Sequence, residues 1–119
     1  MAENYDIVID QGSVFSLVVV LKDDDGVPLD LTGYTMRGQI RASCASATTI
    51  IAFTCTNTDP TLGRFTCSLT TAQTTALATT GATFDEYTEY VYDVEIVSAS
   101  SVATRVLNGH AYLSPEVTK

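Results

Sequence analysis

The chain has 119 residues, 45% of them hydrophobic and 17% charged, and its 14 acidic and 6 basic side chains give a formal net charge of −8. This length is typical of one domain, and this composition excludes an intrinsically disordered chain. The four arginines are dispersed along the sequence, so neither nucleic acid nor an anionic membrane is an expected partner.

No targeting or membrane-spanning segment is recognisable. No apolar run reaches the roughly 18 residues of a membrane span. The stretch MAENYDIVID lacks the basic start and long apolar run of a secretion signal. We therefore expect the protein to stay in the compartment where it is made.

The first two predicted strands lie before residue 22. In NYDIVID, the side chains of Tyr5, Ile7 and Ile9 share one side of a strand. The next segment, SVFSLVVVLK, is apolar on both faces from Leu17 to Leu21. This pattern predicts a strand that is covered on both sides.

DDDG is then predicted to be a turn in which Gly26 provides a positive φ angle. Its three aspartates, residues 23–25, are contiguous, and Leu21 occupies the position of the first ligand of a calcium loop. A calcium loop needs alternating ligands. The pattern therefore favours a solvated turn over a calcium site.

A bend and the clearest strand signal follow in VPLDLTGYTMRGQIR. Pro28 and Gly33 favour the bend. After it, one face carries apolar residues and glycine, and the other carries Arg37, Arg41 and two uncharged polar residues. A slip of one residue would bury both arginines, so the register is strongly specified.

Two segments, IIAFTCT and RFTCSLT, flank the turn-rich stretch NTDPTLG and are predicted to form a hairpin. Cys55 and Cys67 alternate in step with apolar residues of these segments, which indicates small, reduced core residues on neighbouring strands. A disulfide or metal role is the alternative, and Cys44 is the third cysteine. The threonine-rich stretch LTTAQTTALATTG predicts one or two helical turns at most.

The second strong alternation is FDEYTEYVYDVEIVSA, in which Tyr90 and Tyr92 face the core while Asp93 and Glu95 face solvent. VATRVLNGHAYLS is the last predicted strand, and Gly109 is expected to mark a bulge in it. PEVTK is expected to be an exposed tail. Seven or eight short strands at about 10-residue spacing predict an all-β sandwich or small barrel, as a single domain over residues 1–119 with exposed terminal segments.

No residue pattern indicates a reaction, a cofactor or a bound metal. His110 is the only histidine, and it lacks partners at the spacing of a zinc site or a catalytic triad. Asp93 and Glu95 have the side-by-side placement that a hydrolase needs, but a solvent-facing acid pair is the more ordinary interpretation. We therefore expect no enzyme activity.

Binding is the better interpretation of the exposed residues. Tyr87 lies in the polar run DEYTEY, where an exposed ring can serve a protein or sugar surface. A carbohydrate-binding module is therefore one alternative. Threonine faces are another candidate surface for lateral contact with a second subunit. Their residues are Thr35, Thr54, Thr56 and Thr66.

The order of these turn and strand motifs resembles that of a viral family. It runs YDIVIDQGS, LKDDDGVPLDLTGYTMRGQIR, GRFTCSLTTAQTTAL, YVYDVEIVSA, TRVLNG and LSPEVT. This order is similar to the N-terminal domain of baseplate upper proteins and tail-fibre adaptors of tailed bacteriophages. The likeness covers nearly the whole chain, although those proteins continue into a long C-terminal extension, whereas the present sequence ends at Lys119.

The resemblance implies a single antiparallel, immunoglobulin-like β-sandwich without catalytic residues. It also implies a virion structural protein that is made in the host cytoplasm and contacts copies of itself and other virion proteins, as a tail or baseplate adaptor. A capsid decoration protein or a head–tail neck protein is the alternative. The expected interface combines the terminal segments with the exposed tyrosine: Tyr5, Ile7, Ile9, Tyr87, Pro115 and Val117.

Overall fold

Two β-sheets face each other across a shared apolar core in the computed structural model, which describes residues 3–45, 50–79 and 81–117. The strands are β1 (Glu3–Asn4), β2 (Ile7–Asp10), β3 (Phe15–Val20), β4 (Thr35–Arg41), β5 (Ile51–Ala52), β6 (Thr54–Asp59), β7 (Arg64–Leu69), β8 (Thr88–Val97) and β9 (Ala103–Ser114). One α-helix, α1, spans Thr71–Ala76, and a 3₁₀ turn spans Pro60–Leu62. No helix among these residues is long and apolar enough to cross a membrane.

The larger sheet, called sheet A, has the strand order β1-β9-β8-β4-β5, and β2 also pairs with β9. The pairs β9–β8, β8–β4 and β4–β5 are antiparallel, whereas β1 and β2 run parallel to β9. The predicted antiparallel sandwich is therefore correct except at this edge. Parallel pairing there follows from topology, because β1 and β2 belong to the start of the chain and β9 to its end.

The smaller sheet, called sheet B, has the order β3-β7-β6, and both of its pairs are antiparallel. In chain order, the central strands of the two sheets correspond to the B-E-D and G-F-C-C′ strands of a variable-type immunoglobulin domain. The fold is immunoglobulin-like. The predicted β6–β7 hairpin is confirmed, and the 3₁₀ turn joins its two strands.

Phe53 marks the point at which the chain passes from sheet A to sheet B. The residue lies between β5 and β6, and its ring is buried and packs edge-on against Tyr92 with ring centroids 6.2 Å apart. Gly38 of β4 leaves the space for this ring, since a Cβ atom there would lie 2.9 Å from it. The segment IIAFTCT is thus two short strands in different sheets and not one hairpin arm.

The predicted core faces of β4 and β8 are confirmed. Ile40 is fully buried on β4, and Tyr90, Tyr92, Val94 and Ile96 alternate inward along β8. The predicted short helix is also confirmed. Thr70 caps α1: its hydroxyl oxygen accepts a hydrogen bond from the backbone N–H of Gln73, and the Gln73 side-chain oxygen accepts one from the backbone N–H of Thr70.

The predicted burial of β3 on both faces is wrong. Phe15, Leu17 and Val19 face the core, whereas Val14, Val18 and Val20 are 70%, 56% and 44% exposed. The physical reason is that sheet B has no further layer packed outside it among the described residues. An apolar face on β3 therefore points away from the core of its own domain.

The predicted bulge lies at a different residue. The register of β8 against β9 shifts between Val94 and Glu95, whose partners are Leu107 and Arg105, so Val106 is the extra residue. Gly109 is needed for another reason. A Cβ atom at Gly109 would lie 2.3 Å from the carbonyl oxygen of Tyr5, so the glycine allows β1 to approach β9.

Candidate interaction surfaces

The structure separates the six residues of the expected interface. Ile7 and Ile9 are only 4% and 1% exposed, because β2 completes sheet A and turns both side chains into the core. They cannot contribute side chains to a contact with a partner. Tyr5, Tyr87 and Val117 are exposed, and Pro115 is half-buried.

Two of these residues, Pro115 and Val117, form an apolar surface together with neighbours that the sequence did not single out. Phe84 is exposed and lines a small concavity of about 170 Å³ with Pro115 and Val117. The carbonyl oxygen of Phe84 accepts a hydrogen bond from Ser114 Oγ at 2.9 Å, which fixes this loop beside the end of β9. These three residues are called the C-terminal patch.

An aromatic row leads away from this end along the outer face of sheet A. The rings of Tyr87 and Tyr112 lie 5.9 Å apart, and the ring of His110 stacks on Tyr112 at 5.8 Å. His110 also contacts Glu89 at 3.1 Å and Asp6 at 3.5 Å, so its imidazole is held between two carboxylates. Tyr87, Tyr112 and His110 are called the aromatic row.

The rest of the outer face of sheet A consists of cross-strand rows of polar side chains. In the first row, Glu95 of β8 lies opposite Arg37 of β4 and Arg105 of β9. The Arg37 Nε atom donates to Glu95 Oε1 at 2.7 Å. Arg37 and Glu95 thus converge as the sequence pattern allows, but on an outer face, where their side chains remain 61% and 28% exposed.

The second row joins three amides to a carboxylate: Asp93 lies opposite Gln39 and Asn108, and Asn108 lies opposite Asn4 of β1. Arg105 contacts Asp93 at 3.7 Å. Burial and the neighbouring carboxylate of Glu95 raise the pKa of Asp93 above its ordinary value, against the attraction of the surrounding arginines.

The third row contains Arg41, Val91 and His110. The three rows together line a concavity of about 650 Å³, which also borders Gly109 and the exposed Cys44. This concavity is called the arginine basin. It collects three of the four arginines of the chain: Arg37 and Arg41 from one face of β4, and Arg105, distant in sequence, from β9.

The outer face of sheet B has a different character. Along its register, Ser16 lies opposite Ser68, which lies opposite Thr54, and Val18 lies opposite Thr66, which lies opposite Thr56. No charged side chain occurs in these two rows. This set of six residues is called the valine–threonine face: Ser16, Val18, Thr54, Thr56, Thr66 and Ser68. Its flanking strands β3 and β6 each have one edge without a paired strand among the described residues.

The two internal cysteines form a close pair. Cys55 and Cys67 lie directly opposite each other on β6 and β7, and their Sγ atoms are 3.4 Å apart. Their predicted placement on neighbouring strands is confirmed. The hydrogen bond between the thiols lowers the pKa of Cys55 and, together with burial, raises the pKa of Cys67. No group of three histidine, cysteine, aspartate or glutamate side chains is arranged to hold a metal ion within the described parts of the chain.

Comparisons with known proteins add a distant structural neighbour and no family. No family model matches the sequence, and no curated protein matches it. Among solved structures, the chain is similar to murine CRIg, with 11% sequence identity and a TM-score of 0.43 over 94% of this chain and 92% of that one. The strand order of the two sheets is therefore the basis for calling the fold immunoglobulin-like.

Proposed function

We propose that this chain is a non-enzymatic structural protein that assembles with copies of itself and with other proteins of a tailed-bacteriophage particle. The single observation that carries the assembly proposal is the valine–threonine face, an uncharged surface between two unpaired strand edges. Val18 is exposed there, and the exposed Val20 lies in the adjacent row, opposite Arg64. Monomeric proteins blunt strand edges with charges, prolines or bulges, and β3 has no charged residue or proline along its length.

A second copy is the occupant that the charge distribution favours. The chain carries a formal charge of −8, so two copies repel each other wherever their charged faces meet. The valine–threonine face avoids that repulsion, because its two rows contain only valine, serine and threonine. A twofold contact uses the same patch on both chains, so an uncharged patch brings no like charges together.

The test is the oligomeric state of the purified chain, measured by sedimentation velocity over a range of concentrations. We expect reversible self-association, weakened roughly tenfold or more by Val18→Lys, because each face of the contact would bury an unpaired ammonium group. Val102→Lys is the matched control. Val102 is also an exposed valine, but it lies in the turn between β8 and β9.

If Val102→Lys weakens self-association as much as Val18→Lys does, the contact does not lie on the valine–threonine face. A wild-type chain that remains monomeric at all concentrations would contradict self-assembly altogether. Circular dichroism of both variants distinguishes a lost contact from a lost fold.

The position in the particle is supported only by the order of turn and strand motifs that resembles baseplate and tail-fibre adaptor domains. A tail or baseplate adaptor that mediates assembly or fibre attachment is the function we propose, and a capsid decoration or neck protein is the second candidate. Surfaces available for other virion proteins are the C-terminal patch and the exposed rings of Tyr5 and Tyr87. Cross-linking mass spectrometry on intact particles tests this, since cross-links to tail proteins support the first candidate and cross-links to capsid proteins support the second.

A further inference from the structure

We propose that the arginine basin binds an acidic saccharide. This inference goes beyond self-assembly and does not depend on it, because the basin lies on the outer face of sheet A and the proposed contact lies on sheet B. Three features of the basin carry the inference: its charge, its amide groups and the aromatic row at its border.

The charge of the basin is opposite in sign to that of the chain. Its walls carry three guanidinium groups and two carboxylates, those of Asp93 and Glu95, which leaves one positive charge in a protein of net charge −8. Glu95 lies between two arginines in the first row. Guanidinium groups can bind a ligand carboxylate through two parallel hydrogen bonds. A ligand with a carboxylate is therefore complementary to the arginine side of the basin.

The side-chain amides of the basin can form hydrogen bonds with the hydroxyl groups of a sugar. Gln39 and Asn108 flank Asp93 in one cross-strand row that continues to Asn4, and the Gln39 Oε1 atom accepts a hydrogen bond from Arg41 at 2.9 Å. Amide groups therefore lie side by side across the floor of the basin. Amides donate and accept, and a carboxylate accepts, which matches the paired donor and acceptor character of adjacent sugar hydroxyls. The volume of about 650 Å³ is within the usual range of small-ligand sites.

The aromatic row provides a stacking surface at the opposite border. His110 lines the basin and stacks on Tyr112, which contacts the exposed ring of Tyr87. A sugar chain that enters the basin can therefore continue over these rings. Asp6 and Glu89 contact His110 at this end, so the acidic group of the ligand belongs near Arg37 and Arg105 in the first row.

The experiment is a titration followed by amide chemical shifts in nuclear magnetic resonance spectra. The ligand is a trisaccharide of galacturonic acid, and its methyl-esterified form is the neutral counterpart. We expect saturable shifts on β4, β8 and β9 with the acid, and binding that is roughly tenfold weaker with the ester, since one charged hydrogen-bonding contact is lost. Sodium acetate at the same ionic strength should give no saturable shifts.

Arg105→Gln and Arg64→Gln form a matched pair of variants. Each arginine contacts an aspartate at 3.7 Å, Arg105 with Asp93 in the basin and Arg64 with Asp59 on sheet B. We expect Arg105→Gln to weaken binding of the acid roughly tenfold and Arg64→Gln to leave it unchanged. Val18→Lys should also leave it unchanged, so failure of self-assembly and failure of this site are separate results.

Three outcomes would overturn the proposal. The first is the absence of saturable shifts with the acid, and the second is equal binding of the acid and its ester. The third is equal loss of binding in Arg105→Gln and Arg64→Gln, which would indicate a general charge effect in place of a site.

Discussion

The hydroxyl of Tyr92, on β8, donates a hydrogen bond to the backbone carbonyl of Tyr5, just after β1. The bond crosses β9, because Tyr92 lies opposite Gly109 and the glycine has no side chain to block it. The backbone N–H of Tyr5 donates in turn to the carbonyl of Asn108 at 2.8 Å. The start of the chain is thus fixed to sheet A from two sides.

Tyr92→Phe removes this bond and keeps the ring in the core. We expect the free energy of unfolding to fall by about 1 kcal/mol, the usual net contribution of one hydrogen bond. Urea denaturation of both proteins measures this difference in the free energy of unfolding. Tyr87→Phe is the control, with an expected change within about 0.5 kcal/mol, because Tyr87 is exposed. Equal effects of the two changes would show that the bond contributes nothing.

Alkaline pH should act through the same side chain. Burial, followed by the nearby Asp6 carboxylate, raises the pKa of Tyr92 above its ordinary value. The unfolded chain therefore loses this proton first, so the stabilisation is complete below about pH 10 and is lost as pH rises toward the folded-state pKa. Urea unfolding at successive pH values above neutrality should show a decline that is shallower in Tyr92→Phe. An identical decline in both proteins would contradict the assignment to Tyr92.

Gly109→Ala tests the close approach of β1 to β9. Because the new Cβ atom would lie 2.3 Å from the carbonyl oxygen of Tyr5, β1 must move outward. We expect a loss of about 1–3 kcal/mol in the free energy of unfolding. Hydrogen exchange should show faster exchange of the Tyr5 amide while the amides of β8 remain protected. Unchanged exchange at Tyr5 would mean that the sheet accommodates the methyl group.

Thr74→Val tests the link between α1 and the turn before β3. Thr74 is fully buried, and its hydroxyl donates to the carbonyl of Ser13 at 2.9 Å and accepts from the N–H of Gly12 at 3.1 Å. Valine would leave both backbone groups without this partner, at a cost of about 2 kcal/mol in thermal or urea unfolding. Thr75→Val is the control on the same helix, since Thr75 is exposed. A larger loss in the control would contradict this role.

Thiol reactivity should separate the three cysteines. Cys44 is exposed, Cys55 is half-buried, and Cys67 is buried with a raised pKa. We expect a thiol reagent at neutral pH to modify Cys44 and Cys55 in the folded chain and Cys67 only after unfolding, because the thiolate is the reactive species and the hydrogen bond with Cys55, together with burial, raises the pKa of Cys67. Peptide mapping by mass spectrometry gives the order. Early modification of Cys67 would contradict the burial of the pair.

Local alternation predicted much of the fold. The inward faces of β4 and β8 could be read from the sequence because a slip of one residue would have buried Arg37 and Arg41, or Asp93 and Glu95. The parallel pairing of β1 and β2 with β9 could not be predicted from the sequence, because it joins the two ends of the chain and leaves no local pattern. Thr74 could not be distinguished from its threonine neighbours, since only tertiary packing buries it.

The error on β3 has a simple cause. Apolar residues on both faces of a strand are typical of a strand covered on both sides, but exposed apolar side chains also occur on protein surfaces. Val18 and Val20 therefore predicted a second layer that the described structure does not supply. The arginine basin on sheet A was not predicted, because strand pairing and not a local pattern brings its side chains together. Arg37 and Arg41 share one face of β4, but Arg105 is distant in sequence and joins them only when β4, β8 and β9 are paired.

The most direct test of the central claim is hydrogen exchange of the wild-type chain at low and high protein concentration. If a second copy covers the valine–threonine face, the amides of β3 and β6 at the open edges should exchange more slowly as concentration rises, and those of β4 should not change. Exchange that is independent of concentration throughout sheet B, or slowed only on sheet A, would contradict the claim.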